Sequence, residues 1–293
     1  SRRGEPGRYK VISRKGSYHG ATAGVMWLGR TPALLKDFEP MTPGMVYAPQ
    51  PNPYRCELGG ETPSECAVRC AEAVEELILF HGPETVAAVI AEPVTTSIGA
   101  AVPGDEYWPM LRDICDKHGV LLIDDEVICG FGRTGKMFAT EHWGVVPDIM
   151  TMAKGMCSSY LPIGAVVVSE EIADSFVGKD NTFKHIFTCS GHPVCAAAAL
   201  KNIEIIEAEG LVQNALEVGA YLKEQLEGLM VDHPIVGEVR GLGLLLAVEL
   251  VKDRKTKEPF PEDAEIGKRL TAKMRDHGLL LNVAPRAVTF GPP

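Results

Sequence analysis

The chain has 293 residues, is 45% hydrophobic and 23% charged, and carries a formal net charge of −10 at pH 7. These are the proportions of an ordinary soluble globular protein, with length enough for one large domain or two smaller ones around a sizeable core. The acidic balance argues against nucleic acid or an anionic membrane as a partner, and no apolar run approaches the roughly 18 residues of a membrane-spanning helix.

In chain order, residues 31–65 are rich in Pro and Gly and read as a long ordered loop. SECAVRCAEAVEELILFHG (64–82) predicts a helix stopped by Gly82. VAAVIAEPV (86–94), GVLLIDDEV (119–127), DIMTMAKG (148–155) and IGAVVVSE (163–170) are near-continuous apolar runs of strand length, which predicts strands covered on both faces. GDEYWPMLRDICDKHG (104–119) repeats Trp108, Leu111, Ile114 and Cys115 at helical spacing and stops at Gly119. CAAAALKNIEIIEAEG (195–210) predicts a helix linking two domains, and VQNALEVGAYLKEQLEGLM (212–230) an amphipathic one beyond it. IVGEVRGLGLLLAVELV (235–251) alternates into a hairpin with Gly241 and Gly243 at the turn, and residues 252–263 form a charged exposed loop. Strands alternating with helices argue for an α/β fold with a mostly parallel sheet. Domains are expected at 1–197, large, and 198–293, small.

Ligands in such sheets bind at the carboxyl ends of the strands, where Glu92, Asp125 and Lys154 all fall. A lysine and a carboxylate at neighbouring strand ends suit pyridoxal 5′-phosphate (PLP). The lysine forms a Schiff base with its aldehyde, and the carboxylate keeps the ring nitrogen protonated so that the ring accepts electrons. Taken singly, a carboxylate ending a strand is common, and a lysine there is more often a snorkelling surface residue.

Six motifs in order carry a specific likeness: SYHGAT (17–22), AEPV (91–94), LLIDDEVICGFGRTGKMF (121–138), PDIMTMAKG (147–155), FTCSGHPVCAAAAL (187–200) and RGLGLLLAVEL (240–250). Through them the chain resembles class III aminotransferases, PLP enzymes of fold type I, and within these the ω-amino acid:pyruvate type. The resemblance implies Lys154 as the Schiff-base lysine and proton carrier. It implies Asp125 at the ring nitrogen, Val127 and Tyr18 on the two ring faces, His19 in support, and Glu92 near the ring's hydroxyl side. Thr188 matches the threonine that reaches the cofactor phosphate of a neighbouring subunit, which implies a homodimer. The implied reaction moves an amino group from a primary amine or ω-amino acid to a keto acid such as pyruvate, with ping-pong kinetics. Another class III activity, such as a decarboxylating transaminase or aminomutase, and a non-catalytic homologue are the alternatives.

The chain also departs from the family pattern. The glycine- and serine-rich phosphate turn belongs upstream of SYHGAT, and closing helices belong beyond VTFGPP (288–293). The expectation is therefore a fragment of a longer enzyme, inactive or nearly so alone. The family's carboxylate-binding arginine falls at Asn282, and Arg286, four residues later, is the substitute if a loop at Ala284–Pro285 closes the gap. Arg133 in GFGRTG is expected to be structural. The eight cysteines read as free thiols in a cytoplasmic protein. Cys189-x2-His192-x2-Cys195 has zinc-like spacing but lies inside a family motif, so no metal is expected.

Overall fold

The computed structural model describes residues 4–29, 35–283 and 286–292. A six-stranded sheet holds β1 (Lys10–Arg14), β2 (Met45–Ala48), β3 (Val86–Ala91), β4 (Leu121–Asp125), β5 (Ile149–Met152) and β6 (Ala165–Val168) in the order β2-β1-β3-β4-β5-β6. Neighbours are parallel except β6, which runs antiparallel to β5. The helices that follow the chain through and beyond this sheet are α1 (Pro63–His81), α2 (Tyr107–His118), α3 (Glu170–Asp174), α4 (Pro193–Ala208), α5 (Leu211–Asp232) and α6 (Ile266–Asp276). A second, antiparallel sheet orders β7 (Val236–Leu242), β8 (Leu245–Leu250), β9 (Asn282–Val283) and β10 (Ala287–Phe290) as β7-β8-β10-β9.

Local chemistry sets the helix ends. Thr62 accepts a bond from the Glu65 amide at 3.1 Å to open α1, and Gly82 closes it at φ 83°. The face Cys66, Ala67, Cys70, Ala71, Val74 and Ile78 repeats at helical spacing and is buried. With Tyr107, Trp108 and Leu111 of α2 and the β3 and β4 side chains, it makes the main core. A second core fills the space between α5, α6 and the antiparallel sheet. A third cluster, with Val94, Cys129 and Ala139 against Leu245 and Ala247, joins the two sheets.

The structure corrects the sequence reading in three places. β6 is not covered on both faces, since Val166 and Val167 are 63% and 54% exposed; it is an antiparallel edge strand. β1 and β2 had no signal of their own, and β2 lies inside the stretch read as a loop. Met45–Ala48 is four residues long, flanked by Gly and Pro, and pairs with β1 alone. Residues 31–34 of that stretch lie outside the described residues. At the hairpin the turn is at Gly243, whereas Gly241 sits within β7, where a Cβ would meet the Leu245 carbonyl at 2.0 Å.

The strand order places a ligand crevice. From β1 the chain moves outward to β2, then returns to β3 on the other side of β1. The carboxyl ends of β1 and β3 therefore flank a point where the winding reverses, the usual ligand position in an open parallel sheet.

Candidate active site

At that reversal point lies a cavity of about 260 Å³ lined by Tyr18, His19, Glu92, Asp125, Val127 and Lys154, with Gly20, Val94, Thr96 and Ile128 completing the wall. Each side chain arrives from the end of a strand: Tyr18 and His19 after β1, Glu92 after β3, Asp125 at the tip of β4, Lys154 after β5.

Asp125 is held on both oxygens. Oδ1 accepts the Val127 amide at 3.1 Å, and Oδ2 lies 2.7 Å from His19 Nδ1. A carboxylate only accepts, so His19 carries its proton on Nδ1. His19 Nε2 lies 3.9 Å from Glu92 Oε2. Glu92 is also fixed: Oε1 accepts the Tyr18 amide at 3.2 Å, and Oε2 accepts from Arg14 Nη2 at 3.1 Å. Arg14 is fully buried and also donates to Thr95 Oγ1 at 3.0 Å. A run of polar groups thus passes from Arg14 through Glu92 and His19 to Asp125.

Lys154 begins a short turn after β5 with φ 39°, a left-handed conformation uncommon for a non-glycine residue. Two contacts hold that turn. Asn202 of α4 donates to the carbonyls of Gly155 and Met156 at 2.9 and 3.2 Å, and a Cβ on Gly155 would meet the Gly130 carbonyl at 3.2 Å. The lysine side chain is exposed and lines the cavity with Asp125.

Behind Asp125, strand alternation turns Asp124 and Glu126 to the other face of the sheet. Thr140 bridges them, its Oγ1 donating to Asp124 Oδ2 at 3.0 Å and its amide to Glu126 Oε1 at 3.0 Å. Burial pushes Glu126 up to about 7 and Asp124 well above the carboxylate range, and the charge of Asp125 adds to both.

Thr188 and Arg286 stand elsewhere. Thr188 is exposed in a turn just before α4. Arg286 is exposed ahead of β10 and lines a groove with Lys15, Arg55 and Glu249. Asn282 pairs with Thr289 in the antiparallel sheet, and Ala284 and Pro285 lie outside the described residues. Arg133 donates to the Pro292 carbonyl, and its own carbonyl accepts the Leu244 amide at 3.0 Å, so it ties the GFGRTG loop to the hairpin. The cysteine pattern Cys189-x2-His192-x2-Cys195 is not gathered: Cys189 is exposed, and His192 Nδ1 accepts the Val194 amide at 3.3 Å. Sequence reasoning missed Arg14, Thr96, Ile128 and Asn202. Ile128 lies inside the 121–138 motif, next to Val127, whereas Arg14 and Asn202 gave no pattern to find.

These residues fit PLP. Asp125 keeps lone pairs for a protonated ring nitrogen, Tyr18 and Val127 offer a flat and a branched apolar surface, and Lys154 offers an amine.

A family model described as Aminotransferase class-III matches residues 1–293. The chain is 42% identical over 292 residues to a putrescine–pyruvate aminotransferase of Pseudomonas aeruginosa, covering 99% of this chain and 63% of that protein. It is 38% identical to gamma aminobutyrate transaminase 2 of Solanum lycopersicum, covering 99% of this chain and 64% of that protein. An (S)-enantioselective omega-transaminase from Thermomicrobium roseum superposes with a TM-score of 0.94 at 44% identity, covering 100% of this chain and 64% of its own. A PLP-bound amine transaminase from an uncultivated Pseudomonas species gives 0.96 at 39% identity, covering 100% of this chain and 66% of its own.

Proposed function

This chain belongs to the class-III aminotransferase family, and from that premise we propose that it carries the PLP site of a transaminase that moves an amino group from a primary amine or ω-amino acid to a keto acid such as pyruvate. It spans 63% of the length of the putrescine–pyruvate relative, so the whole enzyme's activity is part of the proposal. The observation that carries the reading is the convergence of Lys154 with the His19–Asp125 pair on one cavity at the winding reversal.

When bound, PLP supplies a protonated ring that takes up the electron pair left as a substrate C–H bond breaks. Asp125 would pair with the protonated ring nitrogen, and His19, bonded to its Oδ2, keeps the carboxylate aimed. Tyr18 and Val127, both on the cavity wall, would hold the ring plane from its two sides and exclude water from its faces. Glu92, anchored by Arg14, supports the edge beside Tyr18. The Lys154 amine would hold the cofactor through its aldehyde and, once freed, would be the base placed to take the proton from the substrate C–H bond.

The finer roles belong to the same proposal. Thr188 reaches the cofactor phosphate of a second copy, which makes the working enzyme a homodimer in the cytoplasm. Arg286 receives the acceptor's carboxylate, and the chain divides at 197/198 into PLP-binding and small domains. No helix among the described residues is long and apolar enough to cross a membrane.

The test is to incubate the purified chain with PLP, reduce with borohydride and map the modified peptide by mass spectrometry. Specific labelling of Lys154, lost in Lys154→Ala, is the expected result. Scattered labelling, unchanged by that substitution, sinks the assignment.

A further inference from the structure

Cys56, Cys66 and Cys70 have no part in the proposed reaction, yet their three sulfurs all lie within 4.8 Å of one another. All three are free thiols. Cys66 and Cys70 stand one helical turn apart on the buried face of α1, and both are fully inaccessible. Helical spacing explains why those two are neighbours; it does not explain Cys56. That residue closes the short turn Pro53–Arg55 on another segment and keeps part of its surface open.

The loop between Cys56 and α1 brings the third sulfur in. Gly59 turns it at φ 71°, and Gly60 lies so near α1 that a Cβ there would stand 2.6 Å from the Cys66 nitrogen. Arg69 of α1 donates to the Leu58 carbonyl at 2.8 Å and fastens the loop down. Three thiols from two segments, gathered by a glycine-turned loop, are a donor set that a thiophilic ion takes. Metal–sulfur bonds of about 2.3 Å place three ligand sulfurs about 4 Å apart, within the spread seen here.

We propose that Cys56, Cys66 and Cys70 form a binding site for one thiophilic d10 ion such as Zn2+, with its fourth position open on the Cys56 side. Binding forms three metal–sulfur bonds and releases three thiol protons to solvent, with no change of oxidation state.

The experiment is a titration of the reduced, metal-free chain with Cd2+ under anaerobic conditions, following the thiolate-to-metal charge-transfer band and the bound stoichiometry. The expected result is one tightly bound ion per chain. Cys56→Ser, on a partly open loop, is expected to weaken binding more than ~100-fold. A Cys189→Ser/Cys195→Ser variant is expected to bind as the parent does. Absence of the band, or binding that survives Cys56→Ser and disappears in the Cys189→Ser/Cys195→Ser variant, overturns the proposal. So does recovery of Cys56 and Cys66 as a disulfide from a chain that takes up no ion.

Discussion

His19 Nδ1 lies 2.7 Å from Asp125 Oδ2, and the His19 side chain is 2% exposed. The bond runs from the segment after β1 to the tip of β4, passing over β3, so it couples two strands that are not neighbours. Away from water, a carboxylate bonded to an imidazole keeps a fixed orientation.

That relationship makes His19 a positioning residue for the cofactor. His19→Leu removes a hydrogen bond to a charged group, worth about 1.5–3 kcal/mol. PLP affinity is therefore expected to fall roughly 10- to 150-fold. His19→Asn, whose amide can still donate to Asp125, is expected to recover part of the loss. Spectrophotometric titration with PLP measures both. Equal affinity in parent and His19→Leu would remove His19 from the site.

How much of this was legible in the sequence follows from where each signal lives. The strands carrying Glu92, Asp125 and Lys154 were legible because burial makes them continuous apolar runs, and helices α1 and α2 because glycine stops them. β1 and β2 were not, since their short segments owe their state to pairing with each other and with β3. Tyr18, Asp125, Val127 and Lys154 were found as motif residues. Arg14 and Asn202 act on the site through bonds spanning 78 and 47 residues, and no local pattern reports such a contact. Thr188 and Arg286 came from resemblance, and their proposed roles need surfaces other than the cavity wall.

The buried pair Asp124 and Glu126 makes stability depend on pH. Glu126 rises from an ordinary 4.5 to about 7, mainly through burial. A carboxyl raised on folding contributes stability that is complete below its unfolded value and is lost as pH rises through the folded one. Stability toward urea is thus expected to fall between about pH 4.5 and pH 7, by on the order of 3 kcal/mol if the whole shift is realised. Glu126→Gln, neutral throughout, is expected to flatten that slope. An equally steep slope in the variant would place its origin in other groups.

Trp108 is fully buried and packs between Tyr107 and Trp143, with ring centroids 6.4 and 6.2 Å away. Trp108→Ala leaves a cavity in the main core and is expected to cost about 3–5 kcal/mol. Phe80, 84% exposed on α1, is the matched control. Phe80→Ala is expected to stay within about 0.5 kcal/mol. Urea unfolding midpoints of the two variants give the comparison, and similar losses would mean that the main core is not where the structure puts it.

Arg240 ties the antiparallel sheet to the loop after β3. Its Nε donates to the Gly99 carbonyl at 2.5 Å, and its Nη1 reaches Glu238 and Glu249 at 2.5 Å each. The Glu249 side chain is 3% exposed and is bonded by Arg55 as well. Arg240→Leu leaves Glu249 buried with half of its compensation gone, an arrangement that costs about 3–5 kcal/mol when a buried pair is broken from one side. Adding Glu249→Leu removes the stranded charge, so the double variant is expected to be more stable than Arg240→Leu alone. Chemical denaturation of the two single variants and the double variant measures the coupling. If the double variant instead loses the sum of the two single losses, Arg240 and Glu249 act independently and their bridge does not stabilise the pairing of β7 with β8.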